Sequence, residues 1–150
     1  HKSSHSFPTR RSSDLIAKVD PFGSNHKAKM NERNAMKRNV SELTGFELDW
    51  AVAKCLGYRA HLCPSKILVI GESIEAWETW EPSTNWSQGG PIIEQEKIGT
   101  WPSEAAGKER LWGARMLNTY ISYGPTPLIA SMRCFVKSRL GDEVDMKDLK

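Results

Sequence analysis

The chain has 150 residues, a net charge of +3 at neutral pH and a mean hydropathy of −0.53. This length leaves room for one domain with one core. No apolar run approaches the roughly 20 residues of a membrane helix, and we expect no secretory leader. The three cysteines form no CxxC pair, which favours a reducing, cytoplasmic compartment.

Residues 1–35 are predicted to lie outside the domain. Residues 5–15 correspond, in ordinary codons, to a common sequencing adaptor read in frame, and such segments are excluded from fold reasoning. We interpret residues 16–35 as a translated leader before a start at Met36, with Met30 as a second candidate start. A genuine basic arm is the alternative. The predicted domain is therefore 36–150.

Charge is unevenly distributed along the chain. Residues 41–150 contain twelve Lys and Arg against fifteen Asp and Glu, a net charge of −3, so the positive excess lies towards the N-terminus and includes Lys37 and Arg38. A mildly acidic body lacks the electrostatic attraction that supplies most non-specific affinity for phosphates. The pI of 8.8 is therefore no evidence for DNA binding, and nucleic acid is not the expected partner.

The first predicted helix begins after Thr44. Thr44 and Glu47 have capping-box spacing, and Leu43 and Leu48 occupy the positions of a hydrophobic staple. Apolar residues then recur at helical spacing until Gly57, which suits the left-handed stop of a helix. Together these signals predict a helix of about three turns with one buried face.

A second helix is predicted from Ser83 or Thr84 to about Ile98, with Gly99 as its stop. Pro91 removes a backbone donor, so a kink or restart is expected at residues 89–91. Strand patterns cover residues 66–70, 74–80, 111–117 and 119–123, with a turn at residue 118 and a loop over 100–110.

The third helix has the clearest signals. Thr126 is a good N-cap, and Pro127 falls at the first helical position, where its missing N–H has no cost. A continuous apolar stripe runs from Leu128 to Leu140, and Gly141 ends the helix. Residues 142–150 are interpreted as a charged, frayed tail.

Three stretches of these segments, in this order and spacing, carry a resemblance to a known family. They are SELTGFELDWAVAKC at 41–55, PSTNWSQGGPIIE at 82–94 and YGPTPLIASMRC at 123–134. The chain resembles, from about Met36 to its end, the NinX-like family of small phage and prophage proteins, a domain of unknown function. The segments and the resemblance together predict a small α+β domain in which three helices pack on one short, mostly antiparallel sheet, as in a sandwich.

None of the candidate chemical groups forms a recognised site. Gly89-Gly90 could let backbone amides approach a phosphate, but it has no phosphate-loop context, so packing or a kink is favoured. His61 and Cys63 are too few for zinc, and Cys134 beside Arg133 has no nearby base. The carboxylates at positions 72, 75, 78 and 81 are interpreted as a solvated face. We expect no metal, no cofactor and no catalytic residue.

Tryptophan is the one residue type that is more frequent than expected for a chain of this length. The six tryptophans are at positions 50, 77, 80, 86, 101 and 112. About half are explained as core anchors, and the others could stack on a base or anchor a protein. The candidate partner-binding residues are Trp77, Trp80, Trp86, Gly89 and Gly90.

The leading hypothesis is a non-enzymatic phage accessory protein that contacts a host or phage protein. The alternatives are a nucleic-acid or nucleotide-binding module and, third, a small enzyme. A closed pocket that brings Asp49, His61 and Arg133 together would favour the enzyme.

Overall fold

The computed structural model describes residues 36–104 and 111–149, so the expected leader and Met30 lie outside the described residues. Three helices occur in this part of the chain: α1 (Gly45–Leu56), α2 (Trp86–Glu96) and α3 (Pro127–Leu140). It also contains eight short strands: β1 (Lys37–Asn39), β2 (Ala60–Leu62), β3 (Leu68–Ile70), β4 (Glu78–Thr79), β5 (Gly99–Ser103), β6 (Leu111–Met116), β7 (Tyr120–Gly124) and β8 (Glu143–Asp145). The fold is mixed α+β, as predicted. Across these residues, no helix has the length and apolarity needed to span a bilayer.

The described strands form three small antiparallel sheets, with the orders β1–β8, β2–β3–β4 and β5–β6–β7. Helix α3 packs on β5, β6 and β7, and α1 packs both on α3 and on β2 and β3. The expected arrangement of three helices on one sheet is not confirmed. The packed pair of α1 and α3 therefore links the two three-stranded sheets, which share no strand.

Helix α3 lies at the centre of the core. Its start is as predicted, because Thr126 Oγ1 accepts a hydrogen bond from the backbone N–H of Ile129 at 3.1 Å and Pro127 is the first helical residue. Met132 and Phe135, in the middle of the predicted stripe, are fully buried. The helix ends before Gly141, also as predicted.

Helix α1 begins and ends as predicted but lacks the expected capping box. Thr44 is the N-cap residue, yet its side chain makes no capping hydrogen bond. Glu47 does not reach back to the cap, because its carboxylate pairs with Arg38 at 3.0 Å. Leu43 and Leu48 are both fully buried, consistent with the predicted staple.

Helix α2 is one continuous run, so of the kink or restart predicted at residues 89–91 the restart is wrong. Asn85, rather than Ser83 or Thr84, caps the helix by accepting a hydrogen bond from Ser87 N at 2.9 Å. Pro91 lies inside the helix and removes only the hydrogen bond to the carbonyl of Ser87. Ser87 is exposed, so water can satisfy that carbonyl. The helix stops at Lys97, whose φ of 54° is left-handed, and Gly99 begins β5.

The hairpin of β6 and β7 confirms the predicted turn at Asn118. Leu117 and Asn118 both have positive φ, 56° and 55°, as the two central residues of a type I′ turn require, and Thr119 completes the three-residue connection between Met116 and Tyr120. The predicted loop over 100–110 is wrong in its first part, which is β5. Pro102 hides this strand in the sequence, but β5 is an edge strand, where a missing N–H is tolerated.

The predicted frayed tail is also wrong. Its residues 143–145 form β8, which pairs with β1 in the register Lys37 with Asp145 and Asn39 with Glu143. Val144 and Met146 are buried by this pairing, so the tail completes the core. Lys37 and Arg38 belong to β1 and so to the folded body, which raises the net charge over residues 37–150 to −1.

Replacing Phe135 by Ala should lower the free energy of unfolding by about 2–5 kcal/mol, because the ring is fully buried in α3 and its loss leaves a cavity. Urea unfolding measures the difference. Ile74→Ala is the control: its side chain is exposed, and the change should stay within about 0.5 kcal/mol. An unchanged urea midpoint for Phe135→Ala would show that the stripe is not core.

A chain beginning at Met36 should melt within a few degrees of the full chain, because the sequence predicts that residues 1–35 lie outside the domain. A chain beginning at Ser41 loses β1, the Arg38–Glu47 pair and the cover over Val144, so it should melt at least about 5 °C lower. Calorimetry of both chains makes the comparison. Equal melting temperatures for the two shortened chains would mean that the β1–β8 ladder contributes nothing to stability.

Candidate functional site

Trp80 is a structural residue and not an available ligand-binding side chain. It is buried, its Nε1 donates to the backbone carbonyl of Asp49 at 2.9 Å, and Tyr58 packs edge-on against its ring at a centroid distance of 5.3 Å. The indole therefore ties the segment after β4 to α1. A satisfied N–H and a buried ring are typical of a core tryptophan.

Asp49 is buried beside Trp80 rather than facing solvent. Its Oδ1 accepts a hydrogen bond from the backbone N–H of Ser83 at 2.8 Å. Burial raises the pKa of Asp49 to about 6, hydrogen bonding from Ser83 opposes this increase, and the nearby charge of Glu81 adds to it. Helical periodicity placed Asp49 on the polar side of α1, but the segment after β4 covers that position.

Gly89 has a packing role, and Gly90 does not share it. A Cβ on Gly89 would overlap the carbonyl oxygen of Pro82 and Cδ2 of Leu128, so only glycine lets α2 approach both. The N–H of Gly89 is already bonded to Asn85 O at 2.9 Å, which leaves it unavailable to an anion. At Gly90 the nearest group is the ring of Trp86 at 4.0 Å. The favoured packing interpretation is confirmed for Gly89.

Trp86 is 57% exposed in the first turn of α2. Gln88, two positions later, faces β4, where its Nε2 donates to Thr79 O at 2.7 Å. Each residue of an α-helix turns the chain by about 100°, so Trp86, two positions before Gln88, lies on nearly the opposite side of the helix. Trp86 therefore lies on the side of α2 away from β4, and no ring contact joins it to Trp77 among the described residues.

Trp77 forms a small exposed cluster that we name the Trp77 patch, consisting of His61, Ile74 and Trp77. The indole is 37% exposed and stacks on the His61 ring at 5.2 Å with an interplanar angle of 29°. Ile74, three residues earlier in a 3-10 turn, is 77% exposed. The backbone of Gly71 lies directly against the Trp77 ring and would leave no room for a side chain there. The indole is therefore held in place from two sides.

The sequence analysis missed a second aromatic cluster, on the outer face of the β5–β7 sheet. Trp101 pairs with Gly113 and Gly113 with Tyr123 across the three strands. The Trp101 ring lies over Gly113, meets Tyr123 edge-on at 6.4 Å and has the guanidinium of Arg115 6.0 Å from its centre. Recognising β5 as a strand would have revealed this cluster, since Trp101 then shares a face with Tyr123.

Arg133 and Lys137 of α3 line a groove of about 570 Å³ beside β7. Arg133 Nη1 donates to the carbonyl of Tyr123 at 2.8 Å, and Lys137 Nζ donates to that of Ile121 at 3.3 Å. These two cations cover the free edge of the sheet, a common protection against edge-to-edge pairing. Two further arginines lie elsewhere: Arg139 pairs with Glu96 at 2.7 Å, and Arg115 lies on the outer face of the sheet.

The groups that could have formed a catalytic set lie apart. Asp49 lines a groove of about 300 Å³ beside α1, Arg133 lines the groove beside β7, and His61 is in the Trp77 patch. Burial raises the pKa of Cys55 to about 12 and that of Cys134 to about 11, so both thiols are neutral at physiological pH. In the described ranges, no group of three or more His, Cys, Asp or Glu residues is arranged to hold a metal ion.

The raised pKa of Asp49 predicts a measurable pH dependence. The folded-state pKa of about 6 lies above the usual 3.8, so between these values folding takes up a proton and stability falls as pH rises. Two pKa units correspond to about 3 kcal/mol. Asp49→Asn keeps the acceptor for Ser83 N–H and should gain stability relative to the parent between pH 4.5 and 7.5 in urea unfolding. Parallel pH profiles for the two proteins would contradict the assignment.

Comparison with known proteins identifies the family. The family model described as bacteriophage P22, NinX matches residues 39–139, which include α1, α2, the β5–β7 sheet and all of α3 except its last residue. No curated protein matches the chain. The matched segment covers about two thirds of the chain and contains both aromatic clusters. The chain belongs to the NinX family of bacteriophage P22.

Proposed function

We propose that this phage protein acts without catalysing a reaction, by binding another protein through the Trp77 patch. The observation that carries the proposal is an exposed indole held between Gly71 and the ring of His61, with the exposed Ile74 three residues earlier in the chain. Tryptophan is enriched among the residues that dominate binding energy, and a side chain that is already fixed loses little entropy on binding.

The surroundings of the patch indicate the chemistry of the partner. Glu72, Glu75 and Glu78 are exposed and lie within five residues of Trp77 in the chain, so we infer that an acidic rim borders the patch. Such a rim repels nucleic-acid phosphates and favours a partner with a hydrophobic pocket bordered by Lys or Arg. Protein contact is therefore better supported here than nucleic-acid contact.

Two other functions have weaker support. The cluster of Trp101, Tyr123 and Arg115 favours a nucleotide ligand, on a different face of the protein. A small enzyme is supported least, because Asp49, His61 and Arg133 line separate parts of the surface. Cys55, Cys63 and Cys134 are all free thiols, which suits the cytoplasm of the bacterial host.

Photo-crosslinking in infected bacteria tests the proposal. Trp77 is replaced by benzoylphenylalanine, and the same replacement at Trp86, an exposed tryptophan on another side of α2, is the matched control. Position 77 should give a discrete adduct with one protein, and position 86 should not. Adding Ile74→Asp should abolish the adduct because it places a charge in the apolar centre.

Three results would contradict the proposal. They are the absence of an adduct from position 77, an adduct with nucleic acid, and an adduct that survives Ile74→Asp. Thermal melts of each variant confirm that the fold is intact, since none of the three positions is buried.

A further inference from the structure

Arg133 is the most deeply buried cation for which the described structure gives an exposure, with 8% of its surface exposed. A guanidinium has five N–H donors, and two of these are used: Nε donates to Leu43 O at 2.9 Å and Nη1 to Tyr123 O at 2.8 Å. Both acceptors are neutral carbonyls. None of the ion pairs found among the described residues involves Arg133.

A buried charge without a counter-ion is unusual, because removing it from water costs several kcal/mol unless something compensates. Desolvation lowers the pKa of Arg133, as expected for a cation in this position. Its three remaining donors have no protein acceptor among the described residues. Arg133 lines the groove beside β7, so an anion in the groove could reach the donors that the protein leaves free.

The charge balance of the groove favours one anionic group. Of the ionisable side chains that line it, Arg133 and Lys137 are cationic and Asp142 is anionic. Lys137 Nζ lies 3.6 Å from Asp142 Oδ1, a loose pair in which Asp142 is 79% exposed. The groove therefore carries a net charge of +1, concentrated at Arg133. Planar guanidinium groups match the oxygens of phosphate and carboxylate well.

An aromatic wall completes the groove. Tyr123 is 42% exposed and lines it together with Leu111 and Ile121. The edge-on contact with Trp101 fixes the orientation of the Tyr123 ring. Exposed aromatic rings of this kind bind flat heterocycles such as nucleobases by stacking. At about 570 Å³ the groove is within the range typical of small-ligand sites.

We propose that this groove binds one nucleoside monophosphate, with the phosphate on Arg133 and Lys137 and the base against Tyr123. The ligand is the free nucleotide and not a nucleic-acid strand. Residues 37–150 have a net charge of −1, which supplies no attraction for a chain of phosphates. The groove itself has a net charge of +1, which suits a single phosphate group. This site is separate from the Trp77 patch and does not depend on the function proposed for it.

Isothermal titration of the full chain tests the site with four probes: adenosine 5′-monophosphate, adenosine, inorganic phosphate and a twelve-residue deoxyadenosine strand. The monophosphate should bind with a Kd below about 1 mM. Adenosine and inorganic phosphate should each bind at least about tenfold more weakly, because each lacks one of the two contacts. The strand should bind no more tightly than the monophosphate.

Three variants locate the site. Tyr123→Ala and Arg133→Lys should each weaken monophosphate binding at least about tenfold, since Lys lacks the planar fork. Lys137→Met changes a partly exposed residue of the same groove, so it tests the site even where Arg133→Lys does not fold. It should weaken binding at least about threefold. Arg139→Gln is the matched control, on the same helix but paired with Glu96, and it should bind like the parent.

Several results would overturn the proposal. One is the absence of saturable binding by the monophosphate, and another is equal binding by the parent and the folded Tyr123→Ala and Lys137→Met variants. A strand that binds more tightly than the monophosphate would show that the ligand is a nucleic acid and would refute the assignment to a free nucleotide.

Discussion

Because α3 packs against α1, α2 and the β5–β7 sheet at the same time, each of its faces must match a different neighbour. Most of its fourteen residues are buried, and these include Arg133. That side chain joins three elements, since it extends from α3 to the carbonyl of Leu43 before α1 and to that of Tyr123 on β7. The helix thus fixes both the start of α1 and the edge of the sheet, and the groove between them is a consequence of that packing.

The features that could be predicted from the sequence are those set by neighbours in the chain. Caps, helix ends and the hairpin turn depend on a few adjacent residues, which explains why Thr126, Gly141 and Asn118 were assigned correctly. The capping box predicted at Thr44 does not form, and the Glu47 carboxylate that it needs binds Arg38, a residue outside the helix. Helical periodicity alone could not show that a later segment covers Asp49.

The division of the strands into three separate sheets could not be predicted from the sequence, because it depends on how the helices pack. Strands β2 and β4 have three and two residues, too few for a periodic pattern, and β8 is polar at two of its three positions. Their pairing depends on which surfaces the helices leave open. For the same reason the sequence showed six tryptophans but could not show which were exposed, or that Trp77 and Trp101 each rest against a glycine from another segment.

The pairing of β1 with β8 brings the two ends of the folded unit side by side, with Lys37 opposite Asp145. Neighbouring strands in a sheet lie about 4.8 Å apart, so a short linker between the ends would close the chain into a ring without distorting it. New termini could then be opened in the exposed turn at Leu117 and Asn118, between β6 and β7. Circular permutation at this turn would move the free ends from the β1–β8 pair to one end of the β5–β7 sheet, and so offers a way to attach a fused protein there.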